Sequence, residues 1–105
     1  NTIVAIDATL TPAGAVNAVI TATEAKALSL IERGIRTPTG DLASGTSSDA
    51  IVIASPLPAA GQPAAQRPPL RYAGTATTLG LLIGETVREA ISSRLPGVPG
   101  AGAQG

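Results

Sequence analysis

At 105 residues with zero net charge, no Cys, no His and only 13% charged side chains, the chain is one domain at most. That composition excludes thiolate nucleophiles, imidazole bases, disulfides and zinc sites built on Cys or His, and gives phosphate-driven nucleic-acid binding no basic face to use. Of its hydrophobic residues 20 are Ala, and Tyr72 is the only aromatic, so the core must be thin and the chain suits part of a larger fold better than a self-sufficient miniprotein.

The run Thr2 to Ile6, with Ile3, Val4 and Ile6 closed by Asp7, is short and β-branched and predicts a first buried strand. Thr11-Pro12 then predicts a helix start, because the Thr hydroxyl can accept from free amides and Pro at the first helical position forfeits no hydrogen bond. Gly34 supplies the stop after Arg33. At 100° per residue, Val16, Val19, Ile20, Thr23, Ala27, Leu30 and Ile31 fall on one arc, which predicts the core-facing stripe. Asn17, Thr21 and Glu24 line up on a polar flank, with Lys26 near the opposite edge of the stripe. Glu24 and Lys26 are too far apart in angle to pair, so each requires a different partner.

From Thr37 to Ser48 the composition turns to Pro, Gly, Ser, Thr and Asp, a loop with turns at Pro38 and Gly40. The stretch Ser44 to Ser55 follows, where a loop of small polar residues ending in Asp49 feeds the apolar run Ile51-Val52-Ile53-Ala54. Strand, long helix, strand in this order suggests a parallel crossover unit. The predicted fold class is therefore α/β: short buried strands with two amphipathic helices, part of a larger sheet completed by missing residues or a partner. Residues 56–69, rich in Pro and Ala, read as a variable loop. A second helix is predicted over Ala76 to Arg94 with Leu79, Ile83, Val87, Ala90 and Ile91 buried. Gly80 and Gly84 cost helix propensity and so predict close approach of a backbone or ligand, while Glu85, Arg88, Glu89 and Ser92 take the solvent side. Residues 1–95 form the domain, and residues 96–105, nearly all Gly, Ala and Pro, read as a disordered tail. No run approaches the ~20 apolar residues of a membrane span.

Three polar groupings carry the available chemistry: Asn17, Thr21, Glu24 and Lys26; Gly45 to Asp49; and Tyr72 to Thr77. Helix starts and strand ends are where free amides meet ligands. Each grouping also has a plain structural reading. Glu24 and Lys26 can be solvated charges, Asp49 or Ser48 can cap its own turn, Tyr72 can fill the core, and Thr75 and Thr77 can cap the second helix. The loop lacks the Gly-Lys-Ser/Thr spacing of a nucleoside-triphosphate cradle.

Four blocks in order resemble the adenosylcobinamide amidohydrolase family, the CbiZ-type enzymes of corrinoid salvage. They are Asn1-Thr2-Ile3-Val4 with Asp7 to Pro12; Asn17-Ala18-Val19-Ile20-Thr21-Ala22-Thr23-Glu24-Ala25-Lys26; Gly45-Thr46-Ser47-Ser48-Asp49-Ala50-Ile51-Val52; and Tyr72-Ala73-Gly74 with Thr77, Leu79-Gly80 and Leu82-Ile83-Gly84. The resemblance spans residues 1 to 94 and implies that the chain is the carboxy-terminal portion of such an enzyme, lacking an amino-terminal half. It implies a cytoplasmic hydrolase with a corrinoid as substrate, no cofactor and no metal, and a homo-oligomer or the missing half as partner. Assigning no catalytic residue, it leaves the roles to chemistry. Amide hydrolysis needs an activated water or hydroxyl, donors for the oxyanion and a proton for the departing amine. Glu24 or Asp49 is the candidate general base or acid; Lys26 with the Gly45 and Thr46 amides is the candidate oxyanion set. A Thr46 or Ser48 nucleophile is weaker without a His to activate it. Asn17, Thr21, Tyr72, Gly74 and Thr77 complete the expected substrate contacts. A non-catalytic ligand-binding module and a purely structural fragment are the rival readings.

Overall fold

The computed structural model describes residues 1–57 and 68–95. β1 (Thr2–Ala5) leads into α1 (Pro12–Glu32), followed by β2 (Ile51–Ala54) and α2 (Thr78–Ser92), a small α/β arrangement. β1 and β2 are adjacent and parallel, with Thr2 opposite Ile51 and Ala5 opposite Ala54. The ladder is framed by Thr2 N donating to Ala50 O at 2.9 Å and Ile6 N to Ala54 O at 2.8 Å.

The helix signals act as their chemistry dictates. Thr11 caps α1, its hydroxyl accepting from Gly14 N at 3.0 Å, with Pro12 in the first turn. Gly34 ends the helix at φ 68°, a left-handed turn that a side chain would strain. Thr77 caps α2 by accepting from Gly80 N at 2.9 Å, as its bland reading anticipated. Between α1 and β2, Ala43 N donates to Ile35 O and Thr37 N to Asp41 O, both at 2.8 Å, so the expected loop folds into a small turn around Gly40.

Both helices contact the strands and each other. Val4 and Ile6 from the first strand segment meet Ala18, Ala22, Ile83 and Val87 in one core. The strands are covered on one face only: Ile3 is 73% exposed and Val52 half exposed, whereas the next residues along each strand turn inward.

The largest departure from expectation is in α1. Val16, Val19, Ile20 and Ile31 of the expected stripe are exposed, Val16 by 61%; only Leu30 of its large residues is buried. The inner face is instead Gly14, Ala18, Thr21, Ala22, Ala25 and Ser29. The cause is distance. The first half of α1 lies against the backbone of the 70–73 segment, and at Gly14 a Cβ would stand 2.5 Å from Leu70 O, so only small residues fit that part of the seam. Among the α2 positions, Ile83 and Val87 are buried as expected and Ala90 is exposed. Gly80 takes the expected close approach, since a Cβ there would collide with the carbonyl of Gly74. No backbone approaches Gly84, whose Cβ position meets no protein atom within 4 Å. Most of the Pro/Ala-rich loop and all of the tail at 96–105 lie outside the described residues.

Candidate active site

The three polar groupings do not meet at one point; they form two junctions along α1. The first joins α1 to the segment before α2. Leu70 N donates to Thr9 O and Thr11 N to Leu70 O, both at 2.9 Å, which lays residues 70–73 across the start of α1. Asn17 Oδ1 then accepts from Ala73 N at 2.7 Å, and Thr21 Oγ1 donates to Ala73 O at 2.6 Å. Both backbone polar groups of the buried residue Ala73 are thus satisfied by side chains of α1, as buried backbone groups require. Gly74 O accepts from Thr77 N and Thr77 Oγ1 at 2.9 and 2.7 Å, closing the turn into α2. Asn17, Thr21, Gly74 and Thr77 therefore fix the backbone of this segment. Tyr72 is 72% exposed, so it does not fill the core; it stands on the rim of a cleft.

The second junction joins α1 to the loop before β2. Lys26 is buried in the helix, and its ammonium forms an ion pair with Asp49 Oδ1, meeting no other acceptor among the described residues. Burying an ammonium costs several kcal/mol unless a counter-charge accompanies it, and Asp49 is that counter-charge. Asp49 in turn accepts from Thr46 N at 2.9 Å and from the Thr46 hydroxyl. These contacts, the Lys26 ammonium first and the Thr46 donors next, hold the Asp49 carboxyl far below the usual carboxylate range. Gly45 leaves room for the Asp49 carboxylate, which a Cβ there would have to displace. Ser48 is exposed on the same loop. Lys26 and the Thr46 amide, expected as oxyanion donors, are both engaged by Asp49.

Glu24 stands apart from that cluster. Two residues from Lys26 on a helix, it points about 200° away, toward α2 rather than β2. There it lines a groove of about 290 Å³ between the helices, with Thr21, Leu28, Thr75, Gly84 and Glu85 among its walls. Arg88 closes the far end, its Nη2 donating to both Glu32 oxygens at 2.8 and 2.7 Å. Glu24 and Glu85 have no ion-pair or hydrogen-bond partner among the described residues. Glu85 and Arg88 are exposed, as their solvent-facing sequence reading expected, and they also stand at the walls of this groove. The signal that could have placed them in a groove is their position beside Gly84, whose missing side chain leaves the space open.

Among the described residues no group of three acidic side chains is placed to hold a metal ion, and no helix is long and apolar enough to cross a membrane. The arrangement thus offers an unpartnered carboxylate in an open groove and a separate, self-satisfied Lys-Asp-Thr cluster. No curated protein and no solved structure matches this chain. A family model does, described as adenosylcobinamide amidohydrolase (CbiZ), and it covers residues 1–96. That span takes in both strands, both helices and both junctions, and the chain belongs to the adenosylcobinamide amidohydrolase family.

Proposed function

We propose that the protein hydrolyses the amide joining the aminopropanol arm of adenosylcobinamide to its corrin ring, yielding adenosylcobyric acid and aminopropanol for corrinoid salvage in the cytoplasm. The observation that carries this reading is the family match over residues 1–96. The corrinoid is substrate, not cofactor. Water adds to the amide carbonyl, the C–N bond breaks, and the proton lost by water ends on the departing amine.

The geometry favours Glu24 over Asp49 for moving that proton. Glu24 is uncommitted and faces a groove large enough for a small side arm. Asp49 is held ionised by Lys26 and Thr46, which makes it a weak base, and its contacts would have to open before Lys26 or the Thr46 amide could serve an oxyanion. In this reading Asp49, Lys26, Gly45, Thr46 and Ser48 lie on the opposite face of α1 from the Glu24 groove and hold the loop before β2 against the helix. Asn17, Thr21, Gly74 and Thr77 contribute by fixing the segment that carries Tyr72.

The test is to incubate adenosylcobinamide with the native chain and with Glu24→Gln and Asp49→Asn, following adenosylcobyric acid by mass spectrometry. Loss of about 100-fold or more in Glu24→Gln, in keeping with general acid–base contributions, supports the assignment. Near-native turnover in both variants removes both carboxylates from the mechanism. Saturable binding of adenosylcobinamide by the native chain with no amine released favours a non-catalytic corrinoid-binding module.

A further inference from the structure

When water adds to an amide, the carbonyl oxygen becomes negative and needs a donor close by. Lys26 and the Thr46 amide do not reach the groove at Glu24, since Asp49 engages both on the opposite face of α1. The groove has to supply the donor from its own walls. Among its described lining residues Arg88 is the only cation, and the Thr21 hydroxyl is already spent on the Ala73 carbonyl at 2.6 Å.

Arg88 is held in a way that leaves donors over. Its Nη2 donates to both Glu32 oxygens at 2.8 and 2.7 Å, whereas Nε and Nη1 donate to no protein atom among the described residues. The N–H groups of a guanidinium lie in one rigid plane, so fixing Nη2 also fixes the direction of the others. Glu32 stands one turn beyond Leu28 on α1, and Arg88 one turn beyond Gly84 on α2. Leu28 and Gly84 both line the groove, and the space over the Gly84 Cα is open, so no side chain at that position screens the guanidinium. Glu24 and Glu85 share the groove with Arg88, yet neither pairs with it; Glu32 keeps the guanidinium off the carboxylate that has to move the proton. The Arg88–Glu32 pair is about half exposed on both sides, where an ion pair adds little to stability, so removing it bears on function more than on folding.

We infer that Arg88 is a second catalytic residue of the groove and donates from its free N–H groups to the oxyanion of the tetrahedral intermediate, with Glu32 as its positioning residue. The inference rests on the hydrolase reading and on Glu24 as the proton carrier. Water gives its proton to Glu24 as its oxygen bonds the amide carbon, and the carbonyl π pair moves onto the oxygen that faces Arg88. That pair then re-forms the C=O bond, the C–N bond breaks, and the amine leaves with the proton from Glu24.

Steady-state hydrolysis of adenosylcobinamide by the native chain, Arg88→Ala and Arg88→Gln tests it, with far-UV circular dichroism to check that each variant keeps its fold. Arg88→Gln keeps a side chain that reaches toward Glu32 and serves if the alanine variant unfolds. In Arg88→Ala, kcat is expected to fall about 100-fold or more, the size of one lost oxyanion donor, with KM within about threefold of native. Guanidinium chloride, added far below denaturing concentrations, is expected to restore part of that kcat, which a mere tether between helices would not allow. A kcat within about threefold of native in either folded variant overturns the inference and leaves the hydrolase reading standing. A loss of kcat that guanidinium does not relieve makes Arg88 a helix tether and also overturns it. A folded native chain that releases no amine overturns the hydrolase reading and this inference together.

Discussion

α1 and α2 lie side by side, yet they bury opposite kinds of side chain. α2 turns Ile83 and Val87 toward Val4 and Ile6, so large aliphatic groups fill the space above the strands. α1 turns Ala18, Ala22, Thr21 and Ser29 inward and leaves Val16 and Ile20 exposed. The difference comes from what each helix faces. At Gly14 and Thr21 α1 packs against the backbone of the 70–74 segment, where close approach leaves room for small groups only, and Ala18 and Ala22 bring it close to the aliphatic groups of α2 and β1. A hydrophobic face is thus selected by the available gap as well as by apolarity. The lesson bears on function, because the small inner face of α1 is also what holds the Tyr72 to Thr77 segment in place.

The contrast can be broken most directly at Gly80. Alanine there sets a Cβ against the Gly74 carbonyl, an obstacle that no rotamer change relieves. Gly80→Ala is expected to cost at or above the upper end of the ~1–3 kcal/mol typical of overpacking, seen as a lowered or lost cooperative thermal transition. Gly84→Ala, one turn later over open space, should instead gain roughly 0.5–1 kcal/mol of helix propensity. Equal effects at the two glycines would refute the close-approach account.

Truncating one Ile on each helix sharpens the comparison. Ile83→Ala should cost about 2–5 kcal/mol in denaturant unfolding, as a buried truncation does, and Ile20→Ala should stay within roughly 0.5 kcal/mol. A large loss at Ile20 would mean that its face is covered in solution. Next in size is Thr21→Val, which keeps the shape but strips the donor from the buried Ala73 carbonyl. About 1–3 kcal/mol is expected.

The smallest effect is the pH response of the Asp49 cluster. Its folded-state pKa is depressed, so its contribution is present above the unfolded carboxylate value of about 3.9 and is lost as the pH falls below it toward the folded value. Stability measured from pH 6 downward should therefore decline less steeply in Asp49→Asn than in the native chain. Identical acid limbs would show that Asp49 is no better stabilised folded than unfolded.

Local chemistry made much of the framework legible. Thr11-Pro12, Gly34 and Thr77 marked helix ends because capping depends on neighbours within a few residues, and the β-branched runs at Thr2 and Ile51 marked strands for the same reason. The candidate site was legible as residues but not as an arrangement. Glu24 and Lys26 were recognised as unable to pair with each other, yet nothing in their spacing said that Lys26 would turn to Asp49 while Glu24 faced a groove with Glu85. Asn17 and Thr21 looked like a polar flank, and their partners, the backbone N–H and C=O of Ala73, lie 56 and 52 residues away.

Composition, caps and β-branched runs were enough to establish an α/β chain with two parallel-strand candidates, two helices and no Cys or His chemistry, since each of those properties is local or additive. Which face of α1 is buried, which ion pairs form and where the cavities open were decided only by tertiary packing. Those outcomes depend on the gap between elements distant in sequence, and the period of a single helix carries no information about how closely its neighbour will approach.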